Sequence, residues 1–141
     1  MTDCVFCKII SGEIPAEKLF ENDHAIAVLD INPIHFGHAL ILPKQHCSDF
    51  LDLPDDTFHS ILQAAKVVTQ ALVQSLQLEG YNLFSNNGTI AGQSVFHFHL
   101  HVTPRYRDDN IHFILKLKKY PEREITQYGS MIRKFIKPSV S

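Results

Sequence analysis

The sequence predicts an α+β domain: an antiparallel sheet carrying two helices. Three stretches predict it. Residues 96–102 read Phe96-His97-Phe98-His99-Leu100-His101-Val102, alternating at the side-chain period of a β-strand. Residues 24–31 and 38–43 are apolar runs joined by Asn32-Pro33-Ile34-His35-Phe36-Gly37, the pattern of a hairpin. Residues 55–77 place Phe58, Ile61, Leu62, Ala65, Val68, Leu72 and Leu76 on one helical face.

Taken in order, the remaining elements follow from local chemistry. Cys4-Val5-Phe6-Cys7 opens the chain, and Lys8 to Ser11 can make a helical turn that Gly12 ends. Lys18-Leu19-Phe20-Glu21 is a short strand before the turn at Asn22-Asp23. Asp55 and Asp56 suit the positive end of the long helix, and Gly80 closes that segment. Residues 81–85 form a strand. The turn-rich loop 86–92 then returns the chain, so this strand and the histidine strand are antiparallel neighbours. Residues 111–117 read as one more strand, and residues 122–137 as a helix with Ile125, Tyr128, Ile132, Phe135 and Ile136 on one face. The expected organisation is a single domain over 1–141, with its core in about 4–107 and a C-terminal extension over 108–141.

Composition narrows the function. A chain of 141 residues, 45% hydrophobic, can bury a real core. Its net charge of −2 argues against a nucleic-acid partner held by phosphate neutralisation. No apolar run is long enough for a membrane span, and no secretory pattern is present. Three cysteines do not make a paired disulfide framework, so the expected compartment is the cytoplasm. The nine histidines are the anomaly. A structural strand would rarely spend three alternate positions on histidine. At about 3.3 Å per residue, His97 and His101 lie roughly 13 Å apart along a strand, too far for one metal to collect all three. The rings therefore divide their tasks.

Other candidates stay open at this level. The cysteine pair reads as a zinc half-site or as two incidental thiols, and a thioredoxin-like pair lacks its preceding strand. His46 and Cys47 are candidate ligands or polar surface. Asp30 ends an apolar strand, either as a turn residue or as an acceptor for sugar hydroxyls. The glycine loop before the histidines can present N–H groups to an anion, with Gln93 and Ser94 beside it.

The run His97-Phe98-His99-Leu100-His101-Val102-Thr103 resembles the His-φ-His-φ-His-φ-φ motif (φ, apolar) of the histidine triad (HIT) family, with Thr103 a mild departure. Cys4-x-x-Cys7-Lys-Ile-Ile, Asp30-Ile31, Gly37-His38 through Pro43-Lys44-x-His46, and Asn86-Asn87-Gly88 to Gly92-Gln93-Ser94-Val95 are similar to the Hint-like branch with bacterial zinc-containing members. The resemblance implies a homodimer joining two half-sheets, and hydrolysis or transfer at a nucleotide α-phosphate. It implies His99 as nucleophile and structural zinc on Cys4, Cys7, His46 and His97, with no catalytic metal.

On this reading His101, Ser94, Gln93 and the loop N–H groups between Asn86 and Gly92 stabilise the phosphoryl oxygens, and His38 supports the phosphate or orients the triad. Asp30 accepts from the ribose, and Val5, Phe6, Ile9, Val28 and Ile31 form a slot for the base. Ser94 next to Gln93 looks like the branch acting on purine nucleoside phosphoramidates, AMP-amine compounds. The alternatives are a dinucleoside polyphosphate hydrolase, a zinc hydrolase with the metal on two neighbouring triad histidines, and a nucleotide-binding regulatory protein with little turnover.

Overall fold

The computed structural model describes residues 3–138, which fall into two compact units, 3–109 and 110–138. The first holds a five-stranded sheet of β1 (Lys18–Glu21), β2 (Ala25–Leu29), β3 (Ala39–Pro43), β4 (Gly80–Phe84) and β5 (Leu100–Arg105). Their order is β1-β2-β3-β5-β4, and every neighbouring pair is antiparallel. Helix α1 (Val5–Ile10) precedes the sheet, and α2 (Asp55–Leu76) links β3 to β4.

The period of two in the strands gives each sheet face its own partner. Ala25, Ala27, Ala39, Ile41 and Val102 cluster with Ile61, Ala64, Ala65, Val68 and Leu72 of α2. The alanines bring helix and sheet close. Each fully buried Ile or Leu there contributes about 1.5–3 kcal/mol. Ile26, Val28, Leu40 and Leu42 form the other cluster, with Phe6 of α1. His101 pairs across the ladders with Leu40 on one side and Phe84 on the other. His101 thus belongs to the α1 side, while α2 supplies the main core.

Gly37 makes the turn into β3 possible. Its φ of +92° suits glycine, and an added Cβ would sit 2.8 Å from Leu76 Cδ1. The glycine delivers His38, which is 2% exposed, directly onto the sheet.

Several expected elements change. The histidine strand begins only at Leu100, and residues 95–97 form a bend. The reason is a different set of partners: the Phe98 N–H donates to the Cys47 carbonyl (2.6 Å), and Ser48 Oγ donates to the Phe96 carbonyl (3.1 Å). The backbone on either side of His97 is therefore held by the chain that follows β3, outside the ladder. On α2, Leu62 and Leu76 are 48% and 40% exposed, while Thr57, Ala64 and Thr69 take buried places.

The second unit contains α3 (Glu124–Arg133), shorter than the expected 122–137. Residues 111–117 form no strand. A strand exists only by pairing, and this unit has no strand among its described residues. Ile125, Tyr128 and Ile132 lie exposed on α3. Among the described residues no helix is long and apolar enough to cross a membrane.

Candidate active site

The bend at residues 95–97 turns His97 into a cluster of possible ligands. Its Nε2 lies 2.9 Å from the Pro43 carbonyl. A carbonyl only accepts, so Nε2 carries the hydrogen and Nδ1 keeps its lone pair. That lone pair faces Cys4 Sγ and Cys7 Sγ, both at 3.5 Å, and His46 Nδ1 at 3.2 Å. His46 Nδ1 is 3.3 Å from Cys7 Sγ. All four ligand atoms lie within 4.8 Å of one another.

These spacings fit a zinc ion. Bonds of about 2.0 Å to nitrogen and 2.3 Å to sulfur put tetrahedral neighbours about 3.3–3.8 Å apart. The Pro43 carbonyl is the outer partner that such a ligand histidine commonly has. Burial, with the adjacent Cys4 sulfur, pushes the Cys7 thiol up from its ordinary range. Cys47 is buried and stands outside the group.

The next two histidines are held differently. His99 Nδ1 lies 2.8 Å from the His97 carbonyl, so its hydrogen is on Nδ1 and Nε2 is bare. His38 Nδ1 accepts from the Ile34 N–H at 3.0 Å, which leaves the His38 hydrogen on Nε2. That Nε2–H donates to His101 Nδ1 at 2.9 Å. His101 must then carry its own hydrogen on Nε2. One chain of bonds fixes two tautomers and ends in an N–H donor.

Burial, with His99 and His38 nearby, pushes His101 down to about 4. Burial also pushes His38 below the ordinary imidazole range, against the opposing pull of Asp30. Both rings are therefore neutral near pH 7. Asp30, His38 and His101 also come within 4.8 Å of one another. Their facing imidazole nitrogens are already paired, so hydrogen bonding accounts for this group without an ion.

A cavity of about 370 Å³ opens beside these rings. Its walls include Val5, Phe6, Ile9, Val28, Asp30, Ile31, Ser94, His99 and His101, all from the expected set. Asp30 Oδ1 also accepts from the Asn32 N–H at 2.9 Å, so this carboxylate both caps a turn and faces the cavity. His38 is behind His101, away from the wall. Asn86 and Gly92 also stand away from the wall, beside one another in the preceding loop. Gln93 is buried. Its Oε1 accepts from the Gly88 N–H (2.8 Å), and its Nε2 donates to the Ser48 (2.8 Å) and Val95 (3.1 Å) carbonyls. The Gln93 amide is thus taken up in shaping the loop.

Sequence reasoning missed several walls. Leu40 could have been found from the hairpin register, since it pairs with Val28. Ile14, Pro15 and Ala16 lie in a connector with no periodicity to mark them. Phe84 was also missed. It faces His101 across the β4–β5 pair, with ring centroids 4.4 Å apart and planes at 10°.

In this α+β domain one tethered imidazole faces a cavity and a closed thiol–imidazole group stands apart from it, an arrangement suited to histidine-based catalysis. Residues 11–108 match the HIT domain, and the chain belongs to the HIT family. It is 46% identical over 106 residues to an uncharacterised HIT-like protein of Methanocaldococcus jannaschii, covering 75% of this chain and 81% of that one. It is 44% identical over 106 residues to the adenosine 5'-monophosphoramidase of Saccharomyces cerevisiae, covering 75% and 64%. Among solved structures, a HIT family member from Bacillus subtilis superposes with a TM-score of 0.91 at 34% identity, covering 97% and 99%. A zinc-bound histidine triad protein from Mycobacterium smegmatis gives 0.74 at 36% identity, covering 94% and 92%.

Proposed function

We propose that the protein hydrolyses purine nucleoside phosphoramidates through a nucleotidyl-His99 intermediate. The observation that carries this reading is the 2.8 Å bond from His99 Nδ1–H to the His97 carbonyl, which leaves Nε2 bare at the cavity wall. The yeast relative's name, adenosine 5'-monophosphoramidase, supports the substrate class.

His99 Nε2 attacks the α-phosphorus, the P–N bond breaks, and the departing amine takes one proton from solvent. Water then cleaves the P–Nε2 bond, and AMP leaves as that proton returns. Because His101 is neutral with its hydrogen on Nε2, it acts as a hydrogen-bond donor to a phosphoryl oxygen. Ser94 lies on the same wall as a second donor. Asp30 receives the ribose, and the apolar side chains of Val5, Phe6, Ile9 and Val28 receive the base.

Zinc fits the Cys4, Cys7, His46 and His97 group on its spacing and its donor set. When bound, it would cross-link the N-terminal turn to the chain after β3 and to the bend. Four protein ligands close such a site, so its role there is structural. The zinc-bound mycobacterial relative supports this assignment.

A second copy of the chain is the expected partner. Strand β4 is a sheet edge whose Tyr81 and Leu83 are about half exposed beside Leu62 and Val73 of α2. The Thr69 hydroxyl on the same groove has no hydrogen-bond partner. Light scattering at micromolar concentration tests the dimer. The cytoplasm is the expected compartment because Cys4, Cys7 and Cys47 make no paired disulfide framework.

The deciding experiment is rapid acid quench with an adenosine phosphoramidate, followed by intact-protein mass spectrometry. One adenylyl group mapped to His99, with AMP release, is the expected result. AMP release without an adduct at any time overturns the covalent step.

A further inference from the structure

His97 belongs to both halves of the site. Its Nδ1 faces Cys4, Cys7 and His46, while its backbone carbonyl holds the ring of His99. A second link runs through α1. Cys4 and Cys7 bracket Phe6, whose buried ring meets His97 edge-on at 5.8 Å and His99 edge-on at 5.0 Å. Val5, Phe6 and Ile9 of this helix are also cavity wall.

Helix α1 is only six residues long, and the Cys4 sulfur is its cap, accepting from the Cys7 N–H. A helix this short has little stability of its own. Its position depends on the packing of Phe6, Ile9 and Ile10 against the sheet and on what its two cysteines are attached to. The main core between α2 and the sheet contains none of the four ligands. Losing the attachment therefore loosens α1 and residues 95–99 locally, while the core persists.

We infer that the Cys4–Cys7–His46–His97 group controls the nucleotide site: a cation bound there holds α1 and the His97 main chain, and so sets both the base slot and the orientation of His99. This rests on the nucleotide and zinc readings above. A metal that served stability alone would lower the melting temperature and leave the affinity of the folded protein unchanged. A controlling metal changes the affinity of protein that is still folded.

The test removes zinc with a chelator under reducing conditions. Zinc content, circular dichroism and AMP affinity by calorimetry are then measured on the same sample. The expected result is retained helical signal, AMP affinity weakened by about tenfold or more, and recovery on adding zinc back. A zinc-free protein that keeps its dichroism and its AMP affinity overturns the proposal, as does a protein that binds no zinc. Should the zinc-free protein unfold, His46→Ala decides, because His46 belongs to the ligand group and not to the cavity wall. Folded protein with reduced zinc content and weakened AMP binding supports the link, and reduced zinc content with unchanged binding overturns it. Should the wild type bind no AMP, the nucleotide reading fails separately. The imidazole nitrogen resonances of His99 then judge the control: a change on zinc removal supports it, and no change overturns it.

Discussion

His97 and His101 stand four residues apart in one segment, and the fold prepares them for opposite work. His97 is fully buried, and the Pro43 carbonyl takes its Nε2–H, so the inward nitrogen is a lone pair among sulfurs. For His101 the neighbour is a donor, His38 Nε2–H, so the nitrogen left over is an N–H. His99 lies between them, tied through Nδ1 to a carbonyl and bare at Nε2. The comparison shows that the group on the far side of an imidazole decides whether the near side presents a lone pair or an N–H.

The largest expected effect separates His99 from both neighbours. His99→Ala removes the proposed nucleophile and should lower kcat by about a thousandfold or more, with no adduct after acid quench. Near-normal turnover would break the division of labour. Cys4→Ala acts on the metal side. It should lower zinc content and reduce the melting temperature by roughly 5–10 °C, the scale of about 1–2 kcal/mol in a domain of this size. Full zinc retention, read by atomic absorption, would remove Cys4 from the ligand set.

His38→Ala tests the donor side. Without its N–H, His101 Nδ1 is no longer obliged to accept, and kcat should fall by about 10–100-fold while zinc content stays constant. Zinc loss in this variant would mean that the two halves are not arranged as described. A smaller effect is expected from Phe84→Leu, which removes a ring stack worth about 0.5–1.5 kcal/mol and should cost kcat a few-fold. Phe84→Tyr, which keeps the flat face, should restore it.

Acid sharpens the comparison further. Burial first, then neighbouring imidazoles, lowers His101 to about 4, and burial lowers His38 as well. Below the ordinary histidine value of about 6.5, the unfolded chain binds protons that these folded rings refuse. Their contribution is thus complete above about 6.5 and is lost as pH falls toward about 4. Urea midpoints should decline over that window, and His101→Phe should flatten the decline. An unchanged slope would show that His101 does not titrate as its burial requires.

Much of the fold was legible because it rests on periodicity. The α2 helix with Ile61, Ala65, Val68 and Leu72 buried, the 24–43 hairpin and the antiparallel return into β5 all follow from residue spacing, and each appears. The failures share a cause as well. The alternation at 96–102 is a good strand pattern, yet Phe96 and Phe98 take their partners from the chain after β3, and the ladder starts at Leu100. Residues 111–117 have strand-forming side chains and form no strand. Local propensity proposes a strand, and a neighbouring strand has to accept it.

The same limit applies to the site. Ring-bearing and thiol residues announced themselves through rarity and spacing. Leu40 and Ile14 did not, because an apolar cavity wall reads like any other core. Phe84 reached His101 through strand register, which no linear pattern displays. The Gln93 amide, expected among the groups that hold the phosphoryl oxygens, bonds Gly88, Ser48 and Val95 within the loop.

The sequence by itself determined the chemical repertoire: alternating histidines, a cysteine pair, an acid at a strand end and the periodicities of an α+β domain. Only the tertiary structure decided which nitrogen of each imidazole is free. The deciding partners are the Pro43 carbonyl, the His97 carbonyl and the Ile34 N–H, the last acting through His38. Backbone groups are the same chemical unit at nearly every residue. Residue identity therefore does not reveal which of them will meet a ring; folding does, by carrying Pro43 across 54 positions to His97 and His38 across 63 to His101.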